Sequence, residues 1–148
     1  NMTGWRIAFA VGNAEAIAAL GIIKTNTDSG QFTAIQFAAI EALRSTPPEF
    51  IKKMNEMYAR RRDIAVEGFR AIGLEVEKTR GTFYLWVPVP KGHTSAGFTE
   101  LILEKTGVVV VPGTGYGEYG EGFIRAALTV DESRIKEAIR RIQEQLGA

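Results

Sequence analysis

Apolar residues alternate with polar ones in short stretches of this chain and recur at helical spacing in longer ones, so it reads as a mixture of strands and helices. Trp5, Ile7, Phe9 and Val11 alternate with Arg6, Ala8 and Ala10, which predicts a strand over 5–11 with an arginine set into it. Gly12-Asn13 turns the chain into an alanine-rich helix over 14–23, and Lys24-Thr25-Asn26-Thr27 follows as a polar connector. Asp28 or Ser29 is expected to cap the next helix, which runs to about Ser45 with Phe32, Ile35, Gln36, Ala39, Ile40 and Leu43 on one side. Thr46-Pro47-Pro48-Glu49 reads as a capping box with proline at the first helical position. The helix it starts should continue to Gly73, burying Phe50, Met54, Met57, Tyr58, Ile64, Phe69 and Ile72. Leu74–Lys78 and Thr82–Val89 then read as strands around an Arg80-Gly81 turn. Thr94 or Ser95 caps a short helix ending at Gly107, and an apolar run over 108–111 leads into a glycine-rich loop. Phe123–Val130 is a further strand, with Ile124, Ala126, Leu128 and Val130 on one face and Phe123, Arg125, Ala127 and Thr129 on the other. Asp131 caps a last amphipathic helix, with Ile135, Ala138, Ile139, Ile142 and Leu146 inward and Gly147 as its stop.

This order makes residues 47–148 a small α+β domain, a short-stranded, largely antiparallel sheet with helices packed on it. Residues 1–46 hold one strand pattern and helices, do not complete a sheet, and read as the end of a larger domain. The chain opens on Asn1 rather than Met and enters an apolar pattern almost at once, so a cut inside a longer protein is expected. The apolar faces of Trp5–Val11 and Phe32–Leu43 would then be partly uncovered, and self-association is expected.

Composition narrows the choice of partner. With 45% apolar and 24% charged residues the 148-residue chain is ordinary for a globular protein, and a net charge of +1 points to neither nucleic acid nor an anionic membrane. The run Arg60-Arg61-Arg62 lies in a helical pattern with Glu56, Asp63 and Glu67 and reads as a solvated face. No apolar run has membrane-spanning length. Cysteine is absent, which rules out thiolate chemistry and weakly favours the cytoplasm. The lone histidine, His93, sits in a polar turn with no second ligand, so a metal site is not expected.

Candidate chemistry centres on two arginines. Arg125 lies beyond Gly113, Gly115, Gly117, Gly120 and Gly122, a spacing that lets backbone approach a ligand or another chain closely. A guanidinium among apolar strand neighbours must be paired, either with an acid of the protein or with an anion from outside, and the strand alone leaves both open. Arg6 beside Gly4 poses the same question, and two such forks suit a ligand with two anionic groups as well as two internal ion pairs. The Gly-x-Gly pattern is not a nucleotide motif, because it leads into a strand instead of a helix N-terminus. Glu118 and Glu121 in the loop read as solubilising or cation-pairing groups, not as acid and base.

NMTGWRIAFAVGN at the start, KTNTDSGQF at 24–32, GTFYLWVPVP at 81–90 and VVVVPGTGYGEYGEGFIRAALT at 108–129 together resemble the C-terminal part of class I (fold-type I) pyridoxal-phosphate-dependent aminotransferases. The likeness is greatest to the aspartate, alanine and LL-diaminopimelate aminotransferase group, and it covers essentially the whole chain. It implies pyridoxal 5'-phosphate as cofactor, amino acid and 2-oxo acid as substrates, a homodimer, and a cytoplasmic enzyme. Gly4-Trp5-Arg6 matches the family's Gly-x-Arg, so the resemblance makes Arg6 the cofactor-phosphate arginine. It makes Arg125 the arginine that holds the substrate α-carboxylate, and Asn26 a residue that reaches the neighbouring subunit's active site. The cofactor lysine of the family stands shortly before Gly-x-Arg and would precede Asn1, so no catalytic residue is assigned and the chain alone is expected to be inactive. Lys24 matches no cofactor-lysine motif. A related lyase or synthase would share both arginines, and a stand-alone, non-catalytic interaction or dimerisation domain is the alternative from another class.

Overall fold

A computed structural model describes residues 2–147 and divides the chain into two compact units, Asn1–Ile51 and Lys52–Ala148. Helices α1 (Ala14–Thr27), α2 (Thr33–Ser45), α3 (Pro48–Arg70), α4 (Ser95–Thr106) and α5 (Glu132–Leu146) accompany strands β1 (Tyr84–Pro88), β2 (Val111–Pro112) and β3 (Phe123–Ala127). The three strands form one antiparallel sheet in the order β1-β3-β2. Together with the packed helices this is the expected α+β architecture.

The first unit departs from its pattern in three places. Thr3–Trp5 is a 3-10 turn, and residues 6–11 form no strand. Alternation supplies a strand's faces but not its partner, and the described residues of this unit contain no second strand to complete a ladder. The expected connector Lys24–Thr27 is instead the last turn of α1, where Thr25, Asn26 and Thr27 each turn a side-chain donor back onto a carbonyl of the preceding turn. Asp28 therefore closes α1 instead of opening α2, which starts at Thr33 behind Phe32. None of the residues of α1 or α2 is buried, and Phe32, Phe37 and Leu43 are largely exposed. Pro48 does open α3, but the capping box does not form: Thr46 donates its hydroxyl to Ala42 O at 2.5 Å.

The second unit is built around one apolar core. Leu85 and Val87 of β1 and Ile124 of β3 share a sheet face and are fully buried beside Leu128, Ile102 of α4 and Ile142 of α5. Burying each such side chain contributes about 1.5–3 kcal/mol relative to leaving it in water. Ile135, Ile139 and Ile142 are the buried stripe of α5, as its spacing predicts. Gly68 lets α3 and α5 meet, since a Cβ there would fall 2.2 Å from Ile139 Cγ2. Leu74–Lys78 forms no strand and joins no sheet: Val76 N donates to Leu74 O at 2.9 Å, Leu74 and Val76 enter the core, and Arg70 donates to Val76 O and so occupies the acceptor a neighbouring strand would need. Of the Val108–Val111 run only Val111 lies in a strand, the two-residue β2 that it forms with Pro112.

Candidate functional site

The register places Arg125 of β3 between Trp86 of β1 and Val111 of β2. Since side chains alternate across a strand, Tyr84, Trp86, Phe123 and Arg125 share the face of the sheet turned away from Leu85, Val87 and Ile124. Tyr116, from the 3-10 turn that follows β2, joins them. The Arg125 guanidinium carbon lies 4.1 Å from the centroid of the Tyr84 ring and 4.5 Å from that of Tyr116. Trp86 stacks on Phe123 at 5.7 Å and meets Tyr116 edge-on at 5.9 Å. Arg125 Nε is buried without a hydrogen-bond partner, and no carboxylate lies within ion-pair distance of Arg125 among the described residues. The result is a cation on an aromatic face with no counter-ion among the described residues.

Arg61 shows the opposite arrangement and corrects the reading of Arg60-Arg61-Arg62 as a solvated face. Only 7% of Arg61 is exposed, and its guanidinium donates to Leu128 O at 3.1 Å and to Asp131 at 3.3 Å. Arg62 bonds Asp63 and the carbonyl of Thr79, leaving Arg60 as the exposed member of the run. The missed signal was spacing: Tyr58, Arg61, Ala65, Gly68 and Phe69 lie on one stripe of α3. Asp131, held by Arg61, precedes α5 without capping it through its side chain.

The glycine loop is fastened to α4. Gly113 and Gly120 touch backbone to backbone, and a Cβ on Gly113 would fall 2.0 Å from Gly120 O. The close approach expected of these glycines is thus made by the loop to itself. Glu121, expected to serve solubility or to pair a cation, instead accepts hydrogen bonds from the backbone N–H of Ser95 at 2.8 Å and of Gly122 at 3.1 Å. Fully buried Ser95 donates its hydroxyl to Gly120 O at 3.3 Å and accepts from Phe123 N at 3.1 Å. The sequence offered Ser95 only as an alternative cap of α4, a role that Thr94 takes. These bonds fix the segment that carries Tyr116 and the start of β3.

In the first unit, Arg6 follows the 3-10 turn with φ 53°, in the left-handed region, and is exposed instead of set into a strand. Asn26 lies in α1 and donates to Ile22 O at 2.8 Å. Lys24 is paired with Asp28, and that hydrogen bond, with a second from Gly30 N–H, holds the Asp28 carboxyl below its ordinary range. Arg6 and Asn26 belong to one unit and Arg125 to the other, and the first unit brings Arg6 and Asn26 into no mutual hydrogen bond. His93 packs against Phe98 in the turn before α4, and no cluster of metal-ligating side chains exists among the described residues. No helix among them is long and apolar enough to cross a membrane.

Residues 1–142 match the Aminotransferase class I and II family, and the chain belongs to that family. It is 52% identical over 147 residues to LL-diaminopimelate aminotransferase of Moorella thermoacetica, covering 99% of this chain and 37% of that enzyme. LL-diaminopimelate aminotransferase of Halothermothrix orenii is 54% identical over 143 residues, with 97% and 36% covered. Among solved structures, the aromatic aminotransferase of Pyrococcus horikoshii OT3 superposes with a TM-score of 0.85 at 31% identity, over 97% of this chain and 39% of that one. The chain thus spans little more than a third of the length of the relatives it matches.

Proposed function

We propose that this chain is the C-terminal part of a pyridoxal-phosphate-dependent aminotransferase that moves an amino group between an amino acid and a 2-oxo acid. The observation that carries this reading is Arg125: a partly buried guanidinium with aromatic neighbours, an unpartnered Nε and no acid within ion-pair distance among the described residues. Such a fork suits the planar carboxylate common to both substrates, which it can bind through two parallel N–H bonds. Arg6, an exposed fork with no ion pair among the described residues, has the donor chemistry to hold the cofactor phosphate. Bound pyridoxal phosphate would supply the electron sink for charge developing at the substrate α carbon. This chain's residues bind and orient: residues 1–46 are read as the end of the large cofactor-binding domain and residues 47–148 as the small domain. Asn26 is read as a contact to the neighbouring active site of a cytoplasmic homodimer. LL-diaminopimelate is the first donor to try, because relatives about half identical to this chain carry that name. The family membership does not favour a non-catalytic interaction domain.

The test is to express the complete reading frame that contains this chain and measure cofactor-dependent amino transfer from LL-diaminopimelate and a panel of other amino acids. Arg125→Ala is expected to lower kcat/KM by about 2–5 kcal/mol of transition-state binding, the range for truncating one partner of a buried charge pair. Unchanged kcat/KM in Arg125→Ala would remove Arg125 from the site, and no transfer from any donor would remove the aminotransferase reading.

A further inference from the structure

The Arg125 charge is held by rings where an acid would ordinarily stand. Tyr84 comes from β1, on one side of β3, and Tyr116 follows β2, on the other side. An aromatic face attracts a guanidinium through its quadrupole, yet it occupies none of the in-plane N–H donors and cancels none of the charge. An aspartate there would do both, and an arriving carboxylate would have to displace it. Trp86 and Phe123 are stacked beside the same cation and Trp86 meets the Tyr116 ring, so the rings support one another. The Tyr116 turn is in turn fixed by the contact of Gly113 with Gly120 and by Ser95 and Glu121.

We propose that Tyr84 and Tyr116 are positioning residues that steady the Arg125 guanidinium in place of a counter-ion and leave its N–H edge open to a planar carboxylate. This rests on the reading of Arg125 as a carboxylate anchor. It adds that ring faces, and not the phenol hydroxyls, do the positioning. Loss of either ring is expected to weaken carboxylate binding about three- to tenfold, the scale of one partly desolvated cation–π contact.

Glutarate, an unreactive carboxylate, serves as the probe in the full-length protein. Its binding is read as protection of Arg125 from phenylglyoxal, followed by mass spectrometry of the peptide that carries Arg125, so no turnover is needed. Tyr84→Phe and Tyr116→Phe should protect at the wild-type glutarate concentration within about twofold, while Tyr84→Leu and Tyr116→Leu should need about three to ten times more. Tyr116 is half exposed on a turn, so its leucine variant tests the idea even if Tyr84→Leu fails to fold. Wild-type protection in folded leucine variants would overturn the positioning role and leave the anchor reading intact. Equal loss in the phenylalanine variants would also overturn it, because the hydroxyls would then be responsible. Absence of protection in the wild type would overturn the anchor reading, and this inference with it.

Discussion

Gly113→Ala concentrates the physical argument about the glycine loop in one methyl group. The φ of Gly113 is not in the left-handed region, so alanine meets no conformational penalty there, and the only obstacle is space. The new Cβ would sit 2.0 Å from Gly120 O and 2.8 Å from Phe123 O. Both obstacles are backbone atoms, so no side-chain rotation relieves them, and a normal contact requires roughly an ångström or more of chain movement. Immediately before Gly113, Val111 and Pro112 pair with Arg125 and Ile124, and three residues after it stands the ring of Tyr116. Moving the loop away therefore strains or breaks the β2 pairing and separates Tyr116 from Arg125. Overpacking of this kind, with the loss of about one hydrogen bond and one cation–π contact, is expected to cost about 2–4 kcal/mol. Urea unfolding followed by Trp86 fluorescence in a Trp5→Phe background measures it. For a domain of this size each kcal/mol lowers Tm by about 4–8 °C. Gly115→Ala is the matched control, because its Cβ would meet only Val111 Cγ1, at 3.8 Å. Stability within about 0.5 kcal/mol of wild type for Gly113→Ala, or an equal loss for Gly115→Ala, would refute the reasoning.

Two other substitutions probe features that the core does not explain. Ser95→Ala leaves the N–H of Phe123 without its acceptor at the start of β3, and a loss of about 1–3 kcal/mol is expected by the same unfolding assay. Glu137, on the surface of α5, accepts hydrogen bonds from Arg140 and Arg141, which lower its carboxyl to about 2. Its contribution should be fully present above the ordinary carboxylate value and be lost as pH falls toward about 2. Glu137→Gln should flatten that acid limb of the stability curve, and added salt should shrink the difference between the two proteins. An acid limb identical in both proteins at low salt would show that these surface pairs do not couple to folding.

Elements whose signals are local were legible in the sequence. Thr94 caps α4, Gly107 ends it at φ 67°, and α5 buries Ile135, Ile139 and Ile142, because capping and helical spacing depend on neighbours within one or two turns. The alternation of Ile124 and Arg125 across β3 was legible for the same reason. Partnership was not. Residues 5–11 carry a strand's pattern with no strand beside them among the described residues of their unit, Leu74–Lys78 has its acceptor taken by Arg70, and Arg61, written into a basic run, is a buried strut. Composition likewise could not say whether Arg125 faces an acid or a ring. The chain itself determined the family, the helices and the side of β3 on which Arg125 stands. Tertiary structure decided what stands around that arginine, because the rings of Tyr84 and Tyr116 come from segments distant from Arg125 or from each other along the chain, and only the antiparallel register brings them to it.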